Sequence, residues 1–101
     1  MTDVRWTFEA FEDLKSIRDT IQRDSAAYAQ LVTSRLYEAV GVLSEHPDLG
    51  RVVPERHDPN VRELVRAPYR IVYRRRAEAV EILTIFHGAR QFPDRLPGGI
   101  G

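Results

Sequence analysis

The sequence predicts an α+β domain, an N-terminal strand and a two-helix antiparallel hairpin packed on a small antiparallel β-sheet in the order β-α-α-β-β-β. Two long stretches carry apolar residues at helical spacing between Phe8 and Leu43, with a break at Asp24-Ser25. Tyr69 to Arg74 alternates with the two-residue period of a strand, and it stands among three apolar runs separated by short turns.

Each element has a local cause. Val4, Trp6 and Phe8 alternate with Arg5 and Thr7, which fits a short half-buried strand. Thr7 is placed to cap a first helix in which Phe11, Leu14, Ile17 and Ile21 share a face, while Glu9, Glu12 and Asp13 favour the positive end of its dipole. Asp24 and Ser25 supply the next N-cap, and the apolar face of the second helix runs from Tyr28 through Leu36 to Leu43 until His46-Pro47 stops it. From Pro47 to Asn60 neither period is visible, so this stretch reads as a loop.

Strands follow at about Val61 to Arg66, Tyr69 to Arg75 and Glu78 to His87, and connections this short require antiparallel neighbours. In the second of them Tyr69, Ile71 and Tyr73 form the face expected to meet the helices, opposite Arg70, Val72 and Arg74. The last strand is apolar on both faces, Val80, Ile82 and Phe86 against Leu83 and Ile85, and is expected at a central position. One domain over residues 1–93 is expected, with a flexible glycine- and proline-containing tail at 94–101.

Charge is balanced overall but not along the chain. Residues 1–50 hold five basic and nine acidic side chains, whereas residues 51–101 hold ten basic, all arginine, and six acidic. Arginine's planar fork pairs bidentately with carboxylate or phosphate, so the second half is the place to look for a binding surface. The absence of cysteine excludes disulfides and thiolate chemistry, and no apolar run approaches the length of a membrane span. The expected location is cytoplasmic, with no membrane partner.

Glycine-rich phosphate loops and serine-nucleophile elbows are missing. His46, His57 and His87 lie far apart without metal-ligand spacing, so neither a metal nor another cofactor is expected. What remains is a basic and aromatic set, Arg62, Arg66, Arg70, Arg74, Arg75 and Arg76 around Tyr69 and Tyr73, followed by His87 and Arg90 at the end of the last strand. Such a set can grip phosphates or an acidic protein segment, and Glu63, Glu78 and Glu81 are placed to pair with some of these arginines across strands. His87 at a strand end is a further candidate, as a base or a hydrogen-bond partner.

The run RELVRAPYRIVYR from Arg62 to Arg74, followed by VEILTIFHGAR from Val80 to Arg90, resembles the RelE/ParE superfamily of bacterial toxins, closer to the ParE-like (plasmid stabilisation) branch. With the HPDLGR loop at His46 to Arg51, the resemblance covers about residues 3–92. It implies the toxin of a type II toxin-antitoxin pair that inhibits growth by binding DNA gyrase, or alternatively a ribosome-dependent mRNA endoribonuclease. It also implies an antitoxin, encoded nearby and bound as a hetero-oligomer, and the residues expected to bind the target or the antitoxin are Arg62, Arg66, Arg70, Arg74, His87 and Arg90. Under the nuclease alternative Glu63 or His87 would be the general base, and Arg70 and Arg90 would stabilise the phosphate transition state. Arg70 and Arg90 match the arginines of the cleaving branch, but Glu63 falls where that branch has a lysine and Leu96 where it has a tyrosine.

Overall fold

The computed structural model describes residues 1–97. In chain order the elements are β1 (Asp3–Trp6), α1 (Phe8–Gln22), α2 (Ala26–Gly41) with a 3-10 turn at Val42–Ser44, β2 (Arg51–Val52), β3 (Val61–Arg66), β4 (Tyr69–Arg75) and β5 (Ala79–His87). The strands form one sheet in the order β1-β5-β4-β3-β2, and the helical hairpin covers one face of it.

Local signals set the helix starts. The Thr7 hydroxyl accepts the Ala10 amide at 3.1 Å and Ser25 does the same for Tyr28 at 3.1 Å, satisfying amides that the first turn leaves unpaired. Thr7 has a second task, donating its hydroxyl to the Ile82 carbonyl at 2.7 Å where β1 ends. Asp13 of α1 continues along that edge, accepting from the Ile85 amide at 3.1 Å and the Thr84 hydroxyl at 2.6 Å. A helix side chain thus replaces the strand partner that β1 is too short to provide.

The α+β architecture is the expected one, and β5 is an interior strand between β1 and β4, but the sheet is mixed rather than antiparallel. β1 runs parallel to β5, Asp3 opposite Ala79 and Trp6 opposite Ile82, while β2, β3, β4 and β5 pair antiparallel in sequence. The segment read as a loop from Pro47 to Asn60 contains β2, whose two residues pair with Glu63 and Arg62. Two residues are too few to show a period.

A bulge changes the faces of β5. Val72 pairs with Thr84 but Tyr73 with Ile82, leaving Leu83 as the extra residue. Val80, Ile82 and Ile85 therefore join the helix-side core with Ala10, Leu36, Val40, Leu43, Leu64, Ile71 and Tyr73, while Leu83 and Phe86 turn to the other side. Strict alternation had grouped Phe86 with Val80 and Ile82, and Ile85 with Leu83; the inserted residue reverses the assignment beyond it. Ile71 and Tyr73 lie in the helix-side core and Tyr69 packs against it, the tyrosine face expected from the sequence.

The opposite face of the sheet has a second, smaller core of Val53, Val61, Val72, Leu83, Phe86 and Leu96, with Phe92 against it. Leu96 is only 5% exposed, so the expectation of a loose tail from residue 94 fails at this position, while residues 98–101 of that tail lie outside the described residues. Val53 and Leu96 bring the segments before β3 and after β5 onto the sheet, and these segments build the site described next.

Candidate functional site

The sheet divides the candidate arginines between its two faces. By strand alternation Arg62 and Arg66 share the helix side with Leu64, and Arg70 and Arg74 share the far side with Val72. A single exposed arginine face is therefore not formed. Arg74 is 7% exposed, with one of its Nη atoms buried and without a hydrogen-bond partner. Arg62 donates to the Gly50 carbonyl at 2.9 Å, and the exposed Arg66 to the carbonyl of Val65 at 3.0 Å. Arg75 pairs with Asp48, and Arg76 donates to Glu81 at 2.8 Å.

Arg70 is the centre of the far face, and it is not exposed as anticipated. Its side chain is 12% accessible, and its Nε donates at 2.6 Å to Glu63, whose side chain is fully buried. The two Nη groups of Arg70 donate at 3.0 and 2.9 Å to the two oxygens of Glu55, a bidentate fork on a carboxylate from the loop after β2. The second oxygen of Glu63 accepts from Arg51 of β2 at 2.6 Å. The guanidinium carbon of Arg70 also lies 5.3 Å from the centroid of Phe86 and 5.2 Å from that of Phe92.

The arrangement is a chain of alternating charge, Arg51-Glu63-Arg70-Glu55, which joins the edge strand, the following loop, β3 and β4. The buried carboxylate is compensated on both oxygens, which a charge inside a protein requires. A cleft of 530 Å³ opens beside Arg70, lined by Glu55, Arg56, Arg70, Gly88, Arg90, Gln91, Phe92, Pro93 and Asp94. Arg70 and Arg90 border one cleft, and Arg90 has no ion-pair partner among the described residues.

His87 is not gathered into this cluster. It is exposed at the end of β5, edge-on to Tyr69 at 5.9 Å, and its Nδ1 accepts the Ala89 amide at 3.1 Å. Glu63 is in the cluster, but buried between two arginines rather than open to a substrate. Among the described residues no group of His, Asp and Glu side chains is arranged to hold a metal ion. Glu55, Arg51, Arg56 and Phe92 were not singled out by the sequence; they come from irregular segments whose placement depends on the second core.

The Arg70 hydrogen bond holds the Glu55 carboxyl below its ordinary value of 4.5. A folded-state value below the unfolded one means that the contribution of this pair is present above pH 4.5 and is lost as pH falls through the lower folded value. An NMR titration of the Glu55 side chain is expected to show a midpoint below 4.5, and a midpoint at or above it would mean that the pair does not form in solution.

Two helices on a five-stranded mixed sheet, with arginine-rich β3 and β4, define a small α+β protein. Residues 4–92 match the family model for the ParE toxin of the type II toxin-antitoxin system parDE, and the chain belongs to this family. It is 40% identical over 91 residues to toxin RelE2 of Caulobacter vibrioides, covering 89% of this chain and 99% of that one. Among solved structures, the chromosomal ParDE toxin-antitoxin system of P. aeruginosa aligns with a TM-score of 0.71 at 27% identity, over 86% of this chain and 96% of that chain. The toxin-antitoxin complex RelBE2 of Mycobacterium tuberculosis aligns with a TM-score of 0.62 at 27% identity, over 85% and 90% of the two chains. Among the described residues no helix is long and apolar enough to cross a membrane.

Proposed function

We propose that this toxin arrests growth from the cytoplasm by binding a macromolecular target, DNA gyrase being the one the ParE resemblance names, and that it does not cut RNA. The observation that carries this reading is the state of Arg70. An arginine that stabilises a phosphoryl transition state must aim its donors at the position where charge develops. Here Glu63 takes Nε and Glu55 takes both Nη groups. Glu63, standing where the cleaving branch has a lysine, is buried and ion-paired on both oxygens, which leaves no accessible base at that position.

A cognate antitoxin completes the reading, in keeping with the toxin-antitoxin complexes among the structural relatives. The helical hairpin has the surface for it. Phe8, Phe11 and Tyr37 are 74, 56 and 63% exposed, and a cavity of 490 Å³ between the helices is lined by Phe11, Leu14, Thr33 and Tyr37 with Lys15, Arg18 and Glu38 at its sides. Apolar surface of this kind is what a segment that folds on binding needs.

Induction without antitoxin, followed in parallel by primer extension on abundant transcripts and by gyrase supercoiling, tests the reading. Growth arrest with intact transcripts and gyrase-linked DNA breaks is expected. Transcript cleavage within codons, dependent on Arg70 and Arg90, would overturn it in favour of the ribosome-dependent nuclease.

A further inference from the structure

We propose that Glu55 is an internal ligand closing an oxyanion site on Arg70, and that this carboxylate keeps the 530 Å³ cleft from accepting nucleic-acid phosphate. The proposal goes beyond the growth-arrest reading, since it stands on the ion pairs and the lining of the cleft and does not require gyrase to be the target.

The two carboxylates on Arg70 play unequal parts. Glu63 is fully buried on β3 and grips Nε at 2.6 Å, so it fixes the guanidinium from inside the sheet. Glu55 is 42% exposed, comes from the irregular segment between β2 and β3, and takes the outward fork. Without Glu55 the guanidinium would still be held by Glu63 and by the rings of Phe86 and Phe92, with two parallel N–H donors facing the cleft. A fixed planar fork is the geometry that receives a two-oxygen edge, whether carboxylate or phosphate.

The rim decides between these. Arg56 and Arg90 line the same cleft, and neither has an ion-pair partner among the described residues. With Glu55 displaced the lining holds Arg56, Arg70 and Arg90 against the single carboxylate of Asp94. Several guanidinium groups along one cleft suit a polyanion with regularly spaced phosphates. With Glu55 in place the lining holds two carboxylates, and any incoming phosphate competes with a tethered carboxylate at high effective concentration.

Glu55→Gln removes the competing charge while keeping the side-chain length. Binding of a short labelled single-stranded RNA, followed by anisotropy at about 0.1 M salt, is expected to tighten by roughly ten-fold or more over wild type. Glu55→Ser is expected to do the same, and both should lower the unfolding midpoint only slightly, because Glu55 is 42% exposed and Arg70 keeps its bond to Glu63. Glu9→Gln, which removes an exposed charge in the first turn of α1, should give no gain. Adding Arg90→Gln to Glu55→Gln should abolish the gain. RNA binding by Glu55→Gln no tighter than wild type would overturn the proposal. An equal gain from Glu9→Gln would reduce the effect to net charge, and a gain that survives Arg90→Gln would place it outside the cleft. An equal or larger gain for a glutamate-rich peptide would show a carboxylate site and refute the assignment to phosphate.

Discussion

Arg70→Ala is expected to cost this protein about 3 kcal/mol of stability, because it leaves the buried Glu63 with one partner instead of two. Breaking a buried pair from one side typically costs 3–5 kcal/mol. The lower end applies here, since Arg51 still reaches the other oxygen of Glu63. Glu55 also loses its partner, but it is 42% exposed and water replaces the bond at little cost. The midpoint of thermal unfolding should fall by roughly 12–24 °C, since a domain of this size shifts by roughly 4–8 °C per kcal/mol. Arg70→Lys should recover little of the loss, because one ammonium cannot reproduce an Nε donor to one carboxylate and a fork to another. Circular dichroism melts of the three proteins check this. A melting point for Arg70→Ala within a few degrees of wild type would mean that the arginine is not a structural element.

The second large effect is expected at Tyr73, which is fully buried in the helix-side core. Its hydroxyl donates to the Pro47 carbonyl at 2.8 Å and accepts the Gly50 amide at 2.9 Å, tying the loop after α2 to β4. Tyr73→Phe removes both bonds and leaves a buried amide unpaired, a loss of about 2–4 kcal/mol. Gly50→Ala should be comparably severe for a different reason, since a Cβ there would lie 2.5 Å from the Glu63 carbonyl oxygen and 2.8 Å from the Tyr73 ring. Burial raises the Tyr73 hydroxyl above its ordinary value of 10.0. The sign follows from linkage: stability from this group is fully present below pH 10.0 and is lost as pH rises through the higher folded value, because the unfolded chain ionises first. Urea titrations at neutral and alkaline pH should show wild type losing stability above pH 10.0, and Tyr73→Phe losing less of it. Identical alkaline slopes for the two would show that Tyr73 ionises as freely in the folded protein as in the unfolded one.

The two cases show what the sequence could and could not disclose. Thr7 and Ser25 cap their helices as read, because a cap is a contact across three residues and its signal is local. The alternation that turned Tyr69, Ile71 and Tyr73 toward the helices is equally local, and it survived because β4 carries no insertion of its own. On β5 the same rule failed at Leu83, since a bulge is fixed by the pairing partner rather than by the strand that holds it. The direction of β1 was hidden for a similar reason, as it depends on where the helical hairpin delivers the chain.

The site was legible in composition but not in geometry. Arg70, Arg90 and Glu63 were singled out, and all three border or build the same region. Their states were not foreseen, because Arg51, Glu55, Glu63 and Arg70 meet only through the register of β2, β3 and β4 and the fold of an irregular loop. An arginine count therefore suggested an open basic face, where the protein has a closed, charge-compensated one. A packing role for Phe92 and Leu96 was not foreseen, because the irregular segment after β5 has no period to read, while their side chains complete a core on the far side of the sheet.

A double-mutant cycle between Arg70 and Glu63, using Arg70→Gln and Glu63→Gln with urea unfolding of all four proteins, addresses the role of Arg70 most directly. The ion pair seen here predicts a coupling energy of about 2 kcal/mol or more. Losses that simply add, within about 0.5 kcal/mol, would show that the two side chains do not hold each other and that Arg70 is not fixed by the buried carboxylate.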